Sequence, residues 1–447
     1  MASRSRAASR TLVPQQLAVQ ALRSIDREAA FSNRVLGELL ERPGAMEPGA
    51  RALVTALVYG VLRHRARLDA HIDAVAHDAA RLGELPRWLL RVGAYEIIEL
   101  HRSADNAIDH TIAASLAFDP SRRLAKLAHA VLERVGAGAT QRDEALAAGA
   151  PLDVLARRYS VPRWLAGRWL KQLGAERALR RAAALAEVPS VDLRVDLSRI
   201  DAEAARARLL EERPHARIEA VEGQPQALRV HGGGDLFFGA LHDEGLVSVQ
   251  GLAAQQPAIE LAPRPGERVL DACAGLGVKT LQLAELMTRE GELVAVDIDA
   301  KKLAQHDRLI DRGRLDVETL QLHAIAGDLC GELPELDAYT PFDAIVLDVP
   351  CTGLGNLARH PEIRWHRRYE DLAAATPTQS QLLARACDRL RPGGRLVYAV
   401  CSAEPDEGEQ RVHEALDRGG LELEHARTWT PEDDATEGFF VARLRRN

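Results

Sequence analysis

The sequence predicts a multidomain protein, with an all-α region first, a small α+β module next and a doubly wound α/β domain last. Apolar residues recur at every third or fourth position from about Pro14 to Val135, which is the spacing of amphipathic helices. Short strand-like and helical pieces then mix from Leu152 to about Ala240. From Pro257 onward, short apolar strands alternate with helical segments. This alternation indicates βαβ units and a mostly parallel sheet.

The composition excludes several classes of protein. Of the 447 residues, 46% are hydrophobic and 28% are charged, which suits two or three ordinary domains. The five cysteines stand singly without a CxxC pair, so we expect neither a disulfide framework nor a metal site. No apolar run approaches the roughly 20 residues of a membrane span, and the start MASRSRAASR lacks the apolar stretch of a secretory signal. We therefore expect a cytoplasmic protein.

The net charge of −7 is unevenly distributed along the chain. Residues 1–140 carry 19 Lys and Arg against 15 Asp and Glu, and the rest of the chain is acidic. The first region could therefore face phosphate groups, although such a small excess of cations is also typical of an ordinary solvated surface. The charge alone leaves both interpretations open.

A small and polar stretch, GAGATQRDEALAAGAP at residues 136–151, predicts a linker between domains. We accordingly expect domains at residues 1–138, 139–240 and 241–447. The middle domain should contain a strand in VDLRVDL and a helix from Ala202 to Glu212. The last domain should contain the strands RVLDAC, LVAVDID, DAIVLDVP and GRLVYAVC.

Ligands of a doubly wound sheet bind beyond the carboxyl ends of its strands, so the residues at those ends are informative. After the first strand, Gly275 and Gly277 permit a tight turn before a helix that begins near Lys279. Asp297 ends the second strand, where a carboxylate can accept both hydroxyls of a ribose. Asp328 follows the predicted third strand and supplies another carboxylate. These positions indicate a cofactor that contains adenosine, and NAD and S-adenosylmethionine both remain possible.

The fourth and fifth strands bring two thiols to the same edge of the predicted sheet. DAIVLDVPCTGLG delivers Asp348 and Cys351, and LVYAVCS delivers Cys401. A single cysteine at a strand end is commonly a small buried hydrophobe. Two such cysteines on different strands, one of them after Asp-Val-Pro, favour a chemical role.

These two segments resemble the cytosine-5 RNA methyltransferases of the NOL/NOP/Sun family. DVPCTGLGNLARHPEIRW is similar to the signature of that family, and LVYAVCSAEPDEGEQ is similar to its catalytic strand and acidic sequel. DACAGLGVKT resembles the cofactor loop, and residues 50–73 and 89–112 resemble a NusB-type RNA-binding domain. The resemblance covers the whole chain. It implies a Rossmann-like methyltransferase domain that uses S-adenosylmethionine, in a monomer whose partner is small-subunit ribosomal RNA, not DNA or a membrane.

Cytosine carbon 5 is too weak a nucleophile to accept a methyl group until a thiolate has added to carbon 6, so the reaction needs a cysteine. By resemblance, Cys401 is this nucleophile, Cys351 assists release of the product, and Asp348 helps to protonate the ring nitrogen. Lys279 adds positive potential nearby. The resemblance also implies that the cofactor is held by Cys273, Ala274, Gly275, Leu276, Gly277, Val278, Lys279, Asp297, Asp328 and Asp348.

The cofactor loop departs from the family pattern at two positions. Leu276 stands where the family has proline, and Val278 stands where it has glycine. A valine would be strained if the backbone at position 278 had a positive φ. We then expect weaker cofactor binding or a rearranged loop. The acids after Cys401, namely Glu404, Asp406, Glu407 and Glu409, are interpreted as residues of a turn and a helix start.

The segment after the Cys351 loop is a candidate RNA-binding site. Arg359, His360, Arg364 and Trp365 combine cations with an aromatic ring, and such side chains hold phosphates and stack on bases. The alternative is a solvated helix face with a buried tryptophan.

Two other functions are compatible with parts of the sequence. A dehydrogenase would fit the adenosine site, but neither the cysteine pair nor Asp-Val-Pro-Cys serves hydride transfer. A noncatalytic RNA-binding or ribosome-assembly factor derived from the same family would fit the altered cofactor loop. Methyl transfer from S-adenosylmethionine, or its absence, separates these alternatives.

Overall fold

The computed structural model describes residues 13–40, 49–234, 236, 239–313, 315 and 319–447, and these form two compact units. The first unit comprises residues up to Glu187 together with Leu357–His366. The second comprises Val188–Asn356 together with Arg367–Asn447. The α+β module therefore shares a unit with the α/β domain, and the division at Glu187 lies well after the boundary expected at residue 138.

The first unit is helical, as the apolar spacing predicts. Its longer helices are Pro14–Glu28, Ser32–Leu40, Ala50–Arg63, Arg65–Asp73, Glu84–Ile98, Ala104–Phe118, Arg123–Ala137, Ala139–Ala147 and Arg163–Ala184, the last with a kink at Gly174. The helices from Pro14–Glu28 to Arg123–Ala137 bury their apolar faces in a common hydrophobic cluster. Gly60 shows how tightly two of them pack, because a Cβ there would lie 2.0 Å from the ring of Tyr95.

The predicted linker at residues 136–151 contains the helix Ala139–Ala147. Asp143 of this helix pairs with Arg67 and with His71, whose Nε2 lies 3.0 Å from the carboxylate. Because these partners belong to an earlier helix, the segment is fixed to the first unit. Composition alone could not reveal this attachment, since a short alanine-rich stretch suits a linker and a helix equally well.

A four-stranded antiparallel sheet begins the second unit. Its strands are β1 (Val191–Val195), β2 (Arg217–Val221), β3 (Gln224–His231) and β4 (Val247–Val249), in the order β2-β3-β1-β4. The helix Ala202–Glu212 lies where the sequence predicts it. Asp201 caps that helix by accepting a hydrogen bond of 2.8 Å from the amide of Ala204.

The main sheet has seven strands in the order β10-β11-β9-β8-β5-β6-β7. The five parallel strands are β5 (Arg268–Ala272), β6 (Gly291–Asp297), β7 (Leu320–Ala326), β8 (Phe342–Asp348) and β9 (Leu390–Val400). The antiparallel strands β10 (Leu421–Trp429) and β11 (Phe439–Arg446) complete it. The predicted doubly wound α/β fold is therefore confirmed.

Helices cover both faces of this sheet. The helices Tyr369–Arg389 and Glu409–Asp417 pack on one face, and Leu252–Leu261 and Val278–Leu286 pack on the other. The helix His306–Gly313 follows β6 along the chain. Because both faces are covered, the edge at the carboxyl ends of the parallel strands is the natural place for a ligand. No helix in the described ranges is long and apolar enough to cross a lipid bilayer.

Candidate active site

The strand order brings the predicted site residues to one edge of the sheet. Asp348 ends β8 and Cys401 follows β9, while Asp297 ends β6. The glycine-rich loop follows β5, which lies between β6 and β8. Four adjacent parallel strands thus contribute to a single site, although their residues are far apart in the sequence.

The two predicted catalytic thiols are in direct contact. The Sγ atoms of Cys351 and Cys401 lie 2.7 Å apart, and Cys351 Sγ also lies 3.8 Å from the carbonyl oxygen of Cys401. Both side chains are partly exposed and neither forms a disulfide. The hydrogen bond with Cys401 and burial raise the pKa of Cys351 well above its ordinary value. Cys351 therefore keeps its proton at neutral pH.

Lys279 and Asp348 form an ion pair beside the thiols. Lys279 Nζ donates to Asp348 Oδ2 at 2.6 Å, and the two side chains are only 15% and 26% exposed. Burial alone would lower the pKa of Lys279, but the charges of Asp348, Asp271 and Cys401 raise it. Lys279 is thus a cation at neutral pH and carries a proton next to a carboxylate.

The cofactor loop differs from our expectation about Val278. Positive φ angles occur at Cys273 (65°), Gly275 (57°) and Gly277 (83°), whereas Val278 is the first residue of the helix Val278–Leu286. The positive φ that was considered for position 278 therefore occurs at Gly277, the residue before it. Valine is unstrained as a first helical residue, so the strain expected at Val278 is absent.

Two polar contacts support this loop. Asp297 is 7% exposed, and its carboxylate accepts hydrogen bonds of 2.8 Å from the amides of Gly275 and Asp299. His306 Nε2 lies 3.2 Å from the carbonyl oxygen of Gly275. Since a carbonyl only accepts hydrogen bonds, the proton of His306 resides on Nε2. Burial lowers the pKa of His306 and keeps the ring neutral.

Two apolar side chains next to Asp297 are exposed. Ile298 is 73% exposed and Leu276 is 52% exposed. Large apolar side chains exposed beside a polar site are typical of a surface that an aromatic ligand covers. Ile298 was not among the predicted site residues, although its position directly after Asp297 was the available signal. Asp328 is also exposed, and its carboxylate accepts a hydrogen bond of 2.9 Å from the amide of Cys330.

Asp271 at the end of β5 was also missed. Its carboxyl group is fully buried, and Oδ2 accepts a hydrogen bond of 2.6 Å from Thr280 Oγ1. Oδ1 has no hydrogen-bond partner in the described part of the chain. Burial raises the pKa of Asp271 to about 7. Asp271 is therefore a buried titratable group directly beneath the cofactor loop.

Arg194 connects the four-stranded sheet to this loop. Its buried guanidinium pairs with Glu285 at 2.9 Å and donates to the carbonyl oxygen of Val278 at 3.2 Å. Both partners belong to the helix that follows the cofactor loop. The α+β module thus fixes the start of that helix, a role that an alternating strand sequence gave no reason to expect.

The predicted RNA-binding segment proves to be partly internal to the first unit. Arg364 is 2% exposed, and its guanidinium lies 3.1–3.5 Å from the carbonyl oxygens of Arg63, Tyr159, Ser160, Leu185 and Leu357. Trp365 Nε1 donates to the carbonyl oxygen of Leu62 at 2.7 Å. The expectation that Arg364 holds a phosphate is therefore corrected, because its donors face the backbone. Trp365 packs on the core, as the alternative interpretation of this segment had it.

Arg359 and His360 are more accessible than Arg364. Both are partly exposed, and the ring of His360 lies edge-on to Phe31 with centroids 5.7 Å apart. Phe31 is 51% exposed. A partly exposed cation and two rings on the same surface remain compatible with RNA binding.

Comparisons with known proteins agree with this architecture. A family model described as 16S rRNA methyltransferase RsmB/F matches residues 258–445, and a NusB family model matches residues 13–137.

Ribosomal RNA small subunit methyltransferase B of Vibrio cholerae is 31% identical over 417 residues, covering 90% of this chain and 91% of that protein. The probable ribosomal RNA small subunit methyltransferase B of Synechocystis is 28% identical and covers 97% of this chain and 99% of that protein. The crystal structure of PH0851 shares the fold, with a TM-score of 0.79 at 24% identity over 98% of this chain and 99% of that one. The chain belongs to the 16S rRNA methyltransferase RsmB/F family.

Proposed function

We propose that this protein transfers a methyl group from S-adenosylmethionine to carbon 5 of a cytosine in small-subunit ribosomal RNA. The observation that carries the proposal is the contact of Cys351 with Cys401, 2.7 Å apart at the carboxyl edge of the sheet. The ion pair of Lys279 with Asp348 belongs to the same edge. The names of the relatives from Vibrio cholerae and Synechocystis support the choice of RNA.

The proposed reaction begins with attack by Cys401 on carbon 6 of the cytosine. Electron density then moves toward the ring nitrogen, which Asp348 contacts, and the proton held by the adjacent Lys279 neutralises it. Carbon 5 has now become nucleophilic and takes the methyl group that the cofactor supplies. Transfer of the carbon-5 proton to solvent restores the double bond between carbons 5 and 6 and breaks the bond from carbon 6 to sulfur, so Cys401 leaves as a thiolate, and Cys351 assists that release. The ring nitrogen then returns its proton to Lys279. A base buried in folded RNA must first be turned out of its stack.

The residues at the strand ends fit S-adenosylmethionine. The loop from Cys273 to Lys279 would surround the polar part of the cofactor, and open space lies over Gly275, where a Cβ would meet nothing within 4 Å. Asp297 would accept the ribose hydroxyls with the lone pairs that its two amide partners leave. The exposed side chains of Leu276 and Ile298 would lie against the adenine, with Asp328 near it.

Arg359 and His360 are the proposed RNA-binding residues that the structure leaves accessible. The backbone at Val278 is not strained. The cofactor loop therefore offers no argument for the alternative function, a noncatalytic factor that has lost methyltransferase activity. The noncatalytic alternative is therefore left to the experiment.

The test uses tritiated S-adenosylmethionine and small-subunit RNA from cells that lack this gene. We expect methyl transfer by the parent protein and none by Cys401→Ala. Cys351→Ala should accumulate a covalent protein–RNA adduct on a denaturing gel, because attack continues while release fails. Cys387→Ala is the matched control, since Cys387 lies in the helix Tyr369–Arg389 and should retain parental activity. Absence of transfer by the parent, with both active-site variants indistinguishable from it, would refute the methyltransferase function.

A further inference from the structure

Glu407 is a buried acid that contacts the loop carrying Cys351. Its side chain is 0% exposed, yet both carboxylate oxygens are hydrogen-bonded. Oε1 accepts from the amide of Thr352 at 2.8 Å, and Oε2 accepts from the Thr352 hydroxyl at 2.6 Å. A charged acceptor with good donors in a buried place makes hydrogen bonds that are stronger than neutral ones. Glu407 therefore fixes the residue directly after Cys351.

Gln379 fixes the residue on the other side of Cys351. It is also 0% exposed, and its Nε2 donates to the carbonyl oxygen of Pro350 at 3.0 Å and to Glu407 Oε1 at 3.1 Å. Pro350 and Thr352 are thus held by one buried pair of side chains. The only residue between them is Cys351.

Glu407 itself is rigidly placed by its own backbone. Its amide donates to the carbonyl oxygen of Glu404 at 3.0 Å, and its carbonyl oxygen accepts from the Tyr398 hydroxyl at 2.6 Å. Tyr398 is fully buried in β9, the strand that delivers Cys401. The strand β9 therefore both anchors Glu407, through Tyr398, and delivers the proposed nucleophile Cys401.

The charge of Glu407 acts on the same thiol. After the hydrogen bond with Cys401, burial and the charge of Cys401, the charge of Glu407 contributes to the raised pKa of Cys351. The sequence had suggested a helix-start role for Glu407. The following helix begins at Glu409 instead, so the carboxylate of Glu407 is not used there.

We propose that Glu407, together with Gln379, is a positioning residue for the release step, holding Cys351 against Cys401 so that the methylated base can leave. This inference rests on the proposed methyl transfer through a covalent adduct. It assigns no contact between Glu407 and RNA, since the carboxylate is buried behind Thr352. The attack by Cys401 should therefore survive loss of the Glu407 charge, whereas release should slow.

The variant that tests this role is Glu407→Gln, which keeps the size of the side chain but removes its charge, so that the hydrogen bonds with Thr352 and Gln379 become neutral ones. We expect the steady-state rate to fall about tenfold, as loss of a buried charge-assisted hydrogen bond implies. The methyl transferred in the first turnover should stay within about threefold of the parent value. The covalent protein–RNA adduct should accumulate on a denaturing gel, as in Cys351→Ala. Glu409→Gln is the matched control, because Glu409 accepts from the Thr428 hydroxyl at 2.8 Å and lies outside this contact.

A purely structural role for Glu407 predicts a different result. The methyl transferred in the first turnover and the steady-state rate of Glu407→Gln would then fall together, and no adduct would accumulate. The positioning role would be wrong, whereas adduct formation by Cys351→Ala would still support the proposed function. If Cys351→Ala also fails to accumulate an adduct, the release role of Cys351 is wrong and the inference falls with it; absence of methyl transfer by the parent would instead refute the proposed function itself. Should Glu407→Gln not fold, the Thr352 variants decide: Thr352→Val should accumulate adduct and Thr352→Ser, which keeps the hydroxyl, should not. Equal behaviour of these two variants would overturn the positioning role.

Discussion

The buried carboxyl group of Asp271 should make the stability of the methyltransferase unit depend on pH. Replacing Asp271 by Asn preserves the shape of the side chain and its acceptor for the Thr280 hydroxyl at 2.6 Å. It removes the proton-binding group, whose pKa burial raises from 3.8 to about 7. Because Asp271 directly precedes the cofactor loop, the effect should appear in β5 and in the helix Val278–Leu286.

The sign of the effect follows from proton binding. Between pH 4 and pH 7 the folded state holds the proton on Asp271 while the unfolded state has lost it, so the free energy of unfolding falls as pH rises. The stabilisation is fully present below the unfolded pKa and is lost as pH rises through this window. At about 1.36 kcal/mol per pKa unit, the part lost between about pH 5.5 and pH 8 amounts to about 2 kcal/mol. The Asn variant has no proton to lose, so it should lack this component of the pH dependence.

Native-state hydrogen exchange at several pH values, followed by mass spectrometry of peptides from residues 268–286, measures this local stability. The parent should lose protection between pH 5.5 and pH 8 after correction for the intrinsic exchange rate. Over the same pH range, the loss of local stability in Asp271→Asn should be smaller than that of the parent by about 2 kcal/mol. Asp328→Asn is the control, because Asp328 is exposed and its substitution should leave the parental pH dependence. Parallel pH profiles of parent and Asp271→Asn would show that Asp271 is ionised throughout, and the reasoning would be refuted.

Three further substitutions test how the structure changes the interpretation of the RNA-binding segment and of the cofactor loop. Arg364→Met should destabilise the first unit by about 2–4 kcal/mol in urea unfolding, because it leaves buried carbonyl groups without a donor. Arg359→Ala should instead weaken RNA binding and reduce its salt dependence by about one counterion, with little change in stability; the opposite pattern would restore Arg364 as the phosphate contact. Val278→Gly should cost about 0.5 kcal/mol of helix stability and leave the S-adenosylmethionine affinity measured by calorimetry unchanged. Tighter binding by Val278→Gly would show that valine strains the loop after all.

Local patterns predicted the elements that carry the site because each element is short and its signal is contiguous. The helix Ala202–Glu212 and the strands before Asp348 and Cys401 follow from apolar spacing alone. Parallel strands align their carboxyl ends, so the contact of Cys351 with Cys401 could be anticipated from two distant segments.

The supporting contacts could not be predicted in the same way. Glu407 binds Thr352, 55 residues earlier in the chain, and Gln379, 28 residues earlier. Neither spacing forms a local sequence pattern, so the sequence alone gave Glu407 the role of an acid in a turn and not that of a buried hydrogen-bond acceptor. The prediction that Arg364 binds phosphate was wrong for the same reason. Arg364 lies in a four-residue helix, which is too short to show an apolar periodicity that would reveal the burial of a cation.

These contacts imply that attack and release are supported by different parts of the fold. In the proposed reaction, Lys279 and Asp348, from the helix Val278–Leu286 and the end of β8, would act on the cytosine ring. Glu407 and Gln379 are fully buried and would act through Pro350 and Thr352, the residues on either side of Cys351. Because the two pairs share no hydrogen bond among those described, their substitutions should affect separate kinetic steps. Loss of Lys279 should then abolish the first turnover without an adduct, whereas loss of Glu407 should spare it and trap the RNA.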